Sequence, residues 1–232
     1  MEKSLKSSFV LSPDTIKAYL KYDTVNLHAF RCCGGGVSPG PVPDPCDGDN
    51  PPDYCFEPDL CLGDPLPNPE ITSSGDSGIE GGRYRVGDDA VRNSGKTPHR
   101  GLDITAPLNS SLFAIHSGTV TRTDIGVPPG KYPPGTPVLG NSIMIQSIVN
   151  GNTILFQYGH LNEVSVNEED DIIAGQIIGL TGNTGNANSP RITPHVHINV
   201  WELENGNLVR VDPENYLTTT FNQDGNIKST CN

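Results

Sequence analysis

At 232 residues, with 26 Gly, 21 Pro, 34% hydrophobic and 6% aromatic residues, the chain is long enough for one good-sized domain plus an appendage. It is too rich in turn formers for a helix bundle, which predicts a mainly β, antiparallel architecture. Its formal charge of −12 comes mostly from residues 32–82, with ten acidic and no basic residues, so the remainder has no basic patch or stacking aromatics for nucleic acid, and no apolar run reaches the roughly 18 residues of a membrane span.

Residues 1–31 form a short N-terminal segment. Ser12-Pro13-Asp14 reads as an N-cap followed by Pro at the first helical position, and Ile16, Tyr19 and Leu20 follow at helical spacing. One short amphipathic helix is expected, docked on the main domain or on a partner. Phe9-Val10-Leu11 is too short for the apolar core of a signal peptide, so no ordinary leader is expected. Residues 32–82, with ten Pro and ten Gly, read as an acidic linker that cannot bury enough apolar surface to offset its ordering entropy. Five of the six cysteines (Cys32, Cys33, Cys46, Cys55, Cys61, Cys231) lie there. None makes a C-x-x-C pair, which favours disulfides or free thiols over a metal site.

From about Glu80 the texture changes to short alternating apolar runs, at 112–120, 142–148, 153–158 and 172–180. Asn150-Gly151 between two of them is a strong hairpin signal. The run Glu168 to Asp171 reads as a solvated turn. Segments Gly126 to Gly140 and Asn183 to Pro194 read as long loops.

Three short stretches carry chemistry. In His195-Val196-His197-Ile198-Asn199-Val200 the apolar residues alternate with polar ones, so a strand puts His195, His197 and Asn199 on one face. His99 and Asp103 are four apart, on the order of 13 Å in an extended strand. The backbone must bend for both to reach one ion, and Gly101 permits that. Together these supply two imidazoles and a carboxylate, the ligand set of a catalytic zinc site with a position open for water. His160, at the end of another strand, would bring a second non-ligand imidazole beside His195. His116 reads as a satisfied strand residue.

The ordered set His99-x-Gly101-x-Asp103, Tyr158-x-His160-Leu161, Ala174-Gly175-Gln176-x-Ile178-Gly179, Thr181-Gly182-Asn183-Thr184-Gly185, His195-x-His197 and Asp212-Pro213-x-x-Tyr216-Leu217 resembles the lysostaphin-like, LytM-type zinc peptidases. The resemblance covers roughly residues 80 to 218. It implies a mainly β, antiparallel peptidase domain over 83–218, followed by a tail over 219–232. It implies one Zn2+ per chain held by His99, Asp103 and His197, with His160 and His195 in catalysis. The implied substrate is bacterial peptidoglycan peptide, cross-bridge or stem, and the implied location is the cell envelope, periplasmic or secreted. His195 is expected to take the proton of the attacking water; His160 is expected to stabilise the oxyanion or hold that water, the two roles being exchangeable. Tyr158 and Asn141 are candidates for substrate binding, with core packing equally open for Tyr158. Asn199 stands where the family commonly has Glu, Ser147 where His is frequent and Gly159 where Ala is usual, and none of these removes a ligand.

A carrier domain with a modifiable Lys at a hairpin tip is excluded, because no Lys lies between Lys131 and Lys228. A silent wall-binding module on the same fold remains the alternative, although such relatives typically lose zinc ligands that are all present here. A latent form, with the N-terminal or acidic segment over the groove, is a further alternative.

Overall fold

The computed structural model describes residues 60–230, so the expected N-terminal helix, His28 and every cysteine but Cys61 lie outside the described residues. Strands in chain order are β1 (Leu102–Thr105), β2 (Ser111–Phe113), β3 (Gly118–Asp124), β4 (Asn141–Val149), β5 (Asn152–Leu161), β6 (Glu163–Val164), β7 (Asp171–Ile172), β8 (Ile177–Leu180), β9 (His195–Glu204), β10 (Asn207–Val211), β11 (Thr220–Phe221) and β12 (Ile227–Ser229). The main sheet runs β1-β9-β5-β4-β3-β7, with β10 also pairing β9; β2-β8-β6 form a small second sheet. Every pairing is antiparallel.

Alternation decides the two faces of the main sheet. Leu102 and Ile104 of β1, Val196, Ile198 and Val200 of β9, Ile154, Phe156 and Tyr158 of β5, and Ile143 and Ile145 of β4 point into one core, which also takes Leu112 and Ile178 from the second sheet. Asp103, His195, His197 and Asn199 therefore fall on the opposite face. The β4–β5 hairpin closes on Asn150 and Gly151, with φ of 52° and 83°, the left-handed pair that a two-residue turn needs to match strand twist. The apolar runs at 112–120 and 172–180 are each broken into two strands. Ser117 and Gln176 make the breaks, accepting from the Ala174 and Ile173 amides respectively.

Two expected boundaries are corrected. Residues 60–82, read as linker, are packed: Leu66 and Ile71 belong to the core, and Ile71 bridges Ile104 beside β1. Asp64 is buried and accepts from the Thr218 and Thr219 amides and the Thr219 hydroxyl, and Cys61 is disulfide-bonded. The expected tail joins the same body, for Thr219 is buried and the Gly225 carbonyl accepts from Ile71. Pro-rich composition disfavours helix and sheet interior, but Pro needs no acceptor for a missing N–H and packs readily. Averaging over 51 residues hid Leu60, Leu62, Leu66 and Ile71.

Candidate metal centre

Register assembles the site. β1 pairs β9 with Asp103 opposite His197 and Thr105 opposite His195, so one carboxylate and two imidazoles meet across a single strand pair. His99 precedes β1, held by a bridge to Arg85, and its Nε2 lies 3.3 Å from Asp103 Oδ1. Gly101 between them does not need a left-handed φ. A Cβ there would stand 2.5 Å from His197 Nε2 and 2.7 Å from the Ile198 carbonyl, so the glycine is required for close approach of the ring.

His160 comes to the same place by a different device. Strict alternation along β5 would send it into the core with Phe156 and Tyr158. The register slips by one between Ile143↔Tyr158 and Asn141↔Leu161, a bulge that adds a residue to β5. At that point His160 takes a left-handed φ of 66°, its amide donates to the Leu139 carbonyl at 2.7 Å, and its ring faces His195 with centroids 5.0 Å apart.

Each imidazole has one nitrogen committed outward. Nδ1–H of His99 donates to the Arg83 carbonyl, of His160 to Thr184, and of His195 to Thr193, at 2.8, 2.9 and 2.8 Å. His197 Nε2 meets Asn199 Oδ1 at 3.1 Å. Arg210 Nη1 donates to the same oxygen at 2.7 Å. A guanidinium can only donate, so that atom is the amide oxygen and His197 Nε2 carries the proton. Each ring thus keeps its other nitrogen proton-free; those of His99, His195 and His197 face Asp103 Oδ1, and the His160 ring packs against His195 and His197.

The donor set fits a metal ion. His99 Nε2 to His197 Nδ1 and His99 Nε2 to Asp103 Oδ1 are both 3.3 Å, and ligand atoms around tetrahedral zinc stand roughly 3.3 Å apart. His197 Nδ1 to Asp103 Oδ1 is 2.6 Å; two lone pairs that close require a proton or a metal cation between them. His99, Asp103 and His197 together form a group able to hold an ion. His160 and His195 stand beside it, with His195 Nε2 3.7 Å from Asp103 Oδ1.

Electrostatics agree with neutral rings at His160 and His195. Burial, with the neighbouring His195 and His197, pushes His160 down to about 3; burial also lowers His195. Burial alone would raise Asp103, but the positive charge that the 2.6 Å His197 contact requires, a proton or a metal cation, outweighs it and holds the carboxyl well below its usual range.

Outer residues aim the ligands. Arg83 is buried and grips both oxygens of Glu214, at 2.7 and 2.5 Å. Glu214 lies in the single 3-10 turn that Asp212 caps, so the Asp212-Pro213 motif holds the carbonyl that orients His99. Sequence reasoning missed Arg92, whose Nη2 donates to Asp103 Oδ2 at 2.7 Å and leaves Oδ1 to face the imidazoles. It also missed Arg210. Neither stands in a motif.

Two sequence candidates are corrected. Tyr158 is fully buried, and its hydroxyl accepts from the Ile115 amide; its register opposite Ile143 and Ile198 puts it on the core face. Asn141 is buried too, with Oδ1 accepting from Val127 N and Nδ2 donating to the Val127 and Leu161 carbonyls. It has nothing left for a substrate. It pins the 126–140 loop, and its amide donates to Thr184 Oγ1, beside the carbonyl that holds His160. His116 donates to or accepts from no ligand of the site and pairs with the Tyr216 carbonyl.

Residues 97–218 match the family described as peptidase family M23. The peptidoglycan DD-endopeptidase ShyA of Vibrio cholerae is 33% identical over 121 residues, 52% of this chain and 22% of that protein. An uncharacterized metalloprotease of Buchnera aphidicola is 28% identical over 105 residues, 45% of this chain and 23% of the relative. The chain therefore covers under a quarter of either relative's length. Among solved structures, the catalytic domain of the antimicrobial peptidase lysostaphin from Staphylococcus simulans is 29% identical with a TM-score of 0.36, covering 56% of this chain and 83% of that one.

Proposed function

We propose, from the premise that the chain belongs to peptidase family M23, that it is a zinc-dependent endopeptidase hydrolysing peptide bonds of bacterial peptidoglycan in the cell envelope. The observation that carries this reading is the convergence of three imidazole nitrogens, from His99, His195 and His197, on one oxygen of Asp103, with the His160 ring packed against those of His195 and His197. The substrate class is supported by the name of the Vibrio cholerae relative.

His99, Asp103 and His197 hold the ion, one per chain. Bound there, zinc supplies a positive charge that makes water more acidic and polarises a carbonyl. His195 Nε2 takes the proton of the attacking water, its ring kept in the correct tautomer by Thr193. His160 has its only N–H on Thr184, so its Nε2 accepts and orients that water rather than donating to an oxyanion. After the first proton transfer, protonated His195 is the acid that delivers the proton to the leaving amine. Bulge, capping turn and loop thus aim lone pairs in advance of substrate, which is where a positioned site gains its rate.

The division of labour is separable. His197→Ala is expected to lose zinc and cleavage together, whereas His195→Ala keeps one zinc per chain and loses turnover by about 100-fold or more. Metal content by atomic absorption and peptides released from purified peptidoglycan read both. Wild-type levels of cleavage in either variant refute the assignment.

A further inference from the structure

The catalytic face continues past the ligands along β1, and its next feature is a cavity of about 450 Å3. Asp103 and Thr105 share a face, and Thr105 stands opposite His195, so the cavity, which Thr105 lines, begins one residue pair from the proposed base. Its outer wall is the segment 66–70. Ile71 is bridged to Ile104 and turned into the core, so alternation puts its neighbours Glu70 and Thr72 on the groove side. Backbone bonds fix that placement: Thr105 N donates to Glu70 O at 2.8 Å and Thr72 N to Asp103 O at 2.9 Å. The two threonine hydroxyls meet at 3.0 Å.

The lining is amphipathic. Leu66, Pro67 and Phe113 supply apolar walls, Thr105 and Ser110 hydroxyls, and Glu70 the one charged side chain among the described residues. An extended aliphatic stem ending in an ammonium matches it, the stem against Pro67 and Phe113 and the charge on Glu70. Residues 66–70 precede the stretch matched by the family, 97–218, so this wall is a feature of the chain's own preceding segment.

We infer that the cavity between Glu70, Thr105 and Ser110 is a substrate subsite that takes a side chain carrying a free amino group, next to the bond to be cut. The inference rests on the proposed endopeptidase reading. It is tested with two synthetic peptides identical except for lysine or norleucine at one position, assayed on the full chain loaded with zinc. Wild type is expected to prefer the lysine peptide. Glu70→Gln is expected to raise KM for that peptide by about tenfold, the size of one charge-assisted contact, with kcat unchanged and the norleucine peptide unaffected. Equal effects on both peptides, or none, overturn it. Binding of fluorescent versions of both peptides to His195→Ala, measured by anisotropy, gives a readout without turnover. A lysine preference in binding that Glu70→Gln abolishes upholds the subsite even if the wild type cleaves neither peptide, which would sink only the endopeptidase reading. Indifference of binding to both the lysine and Glu70 sinks the subsite alone.

Discussion

Asn199 shows how much one side chain contributes at this centre. Its oxygen accepts from His197 and from Arg210, and its Nδ2 donates to Gln157 Oε1 at 3.2 Å; Arg210 is itself stacked on Trp201, 4.6 Å from the ring centroid. Where the resembled family commonly has a carboxylate, this chain uses a neutral amide whose orientation is dictated by a neighbouring cation. Outer partners of this kind are worth about 10- to 100-fold in metal affinity. Asn199→Ala should therefore weaken zinc binding by about that factor, and Arg210→Met should act in the same direction by freeing the amide to turn over. Competition with a zinc-sensitive dye measures it, and unchanged affinity in both variants would discard the account. The His195 and His197 pairing was legible in advance because strand alternation is a local property. Arg92, Arg210 and the buried state of Tyr158 were not, since each depends on register between strands far apart in sequence.

Among the elements, the end of β5 matters most. The bulge that turns His160 into the groove works only if Leu139 and Thr184 are in place to receive its amide and ring N–H, and Asn141 holds both: it pins the preceding loop to Val127 and Leu161, and its amide engages the Thr184 hydroxyl. Asn141→Ala removes three buried hydrogen bonds and leaves partners unsatisfied, at a cost of roughly 1–3 kcal/mol for such groups. The ligands sit on β1, β9 and the bend before β1, not on this loop. The variant is thus expected to melt lower and turn over more slowly while still binding one zinc. Thermal unfolding, zinc content and peptide release decide it, and loss of zinc with an unchanged melting temperature would contradict the arrangement. The Asn150-Gly151 hairpin was readable because two adjacent residues specify it. The bulge was not, because an extra residue in one strand shows only against its partner, and Asn141 looked like a groove residue for the same reason.

For the molecule as a whole, the segments flanking the family-matched region close on each other as well as on the sheet. Asp64, from the stretch first read as linker, is fully buried and ties Thr218 and Thr219 by three hydrogen bonds. Burial raises its carboxyl above the ordinary 3.8, and the hydrogen bonds from Thr219 and Thr218 only partly offset that. The folded chain therefore keeps a proton that the unfolded chain has already released. Its contribution to stability is fully present below the unfolded value and is lost as pH rises through the raised folded value. Asp64→Asn is close to isosteric: its Oδ1 can accept the two amides, and the Thr219 hydroxyl can turn to accept from Nδ2. It removes only the charge that burial penalises. The stability of Asp64→Asn relative to wild type should consequently climb as pH rises from about 4 through the raised folded value and then level. Glu214 and Asp212, also raised chiefly by burial, change both proteins alike and cancel in the comparison. Urea unfolding of both proteins across that range measures the difference; a flat or falling difference would mean that Asp64 is stabilised in its charged form and that the closure between the two flanks is electrostatic rather than a matter of packing and neutral hydrogen bonds.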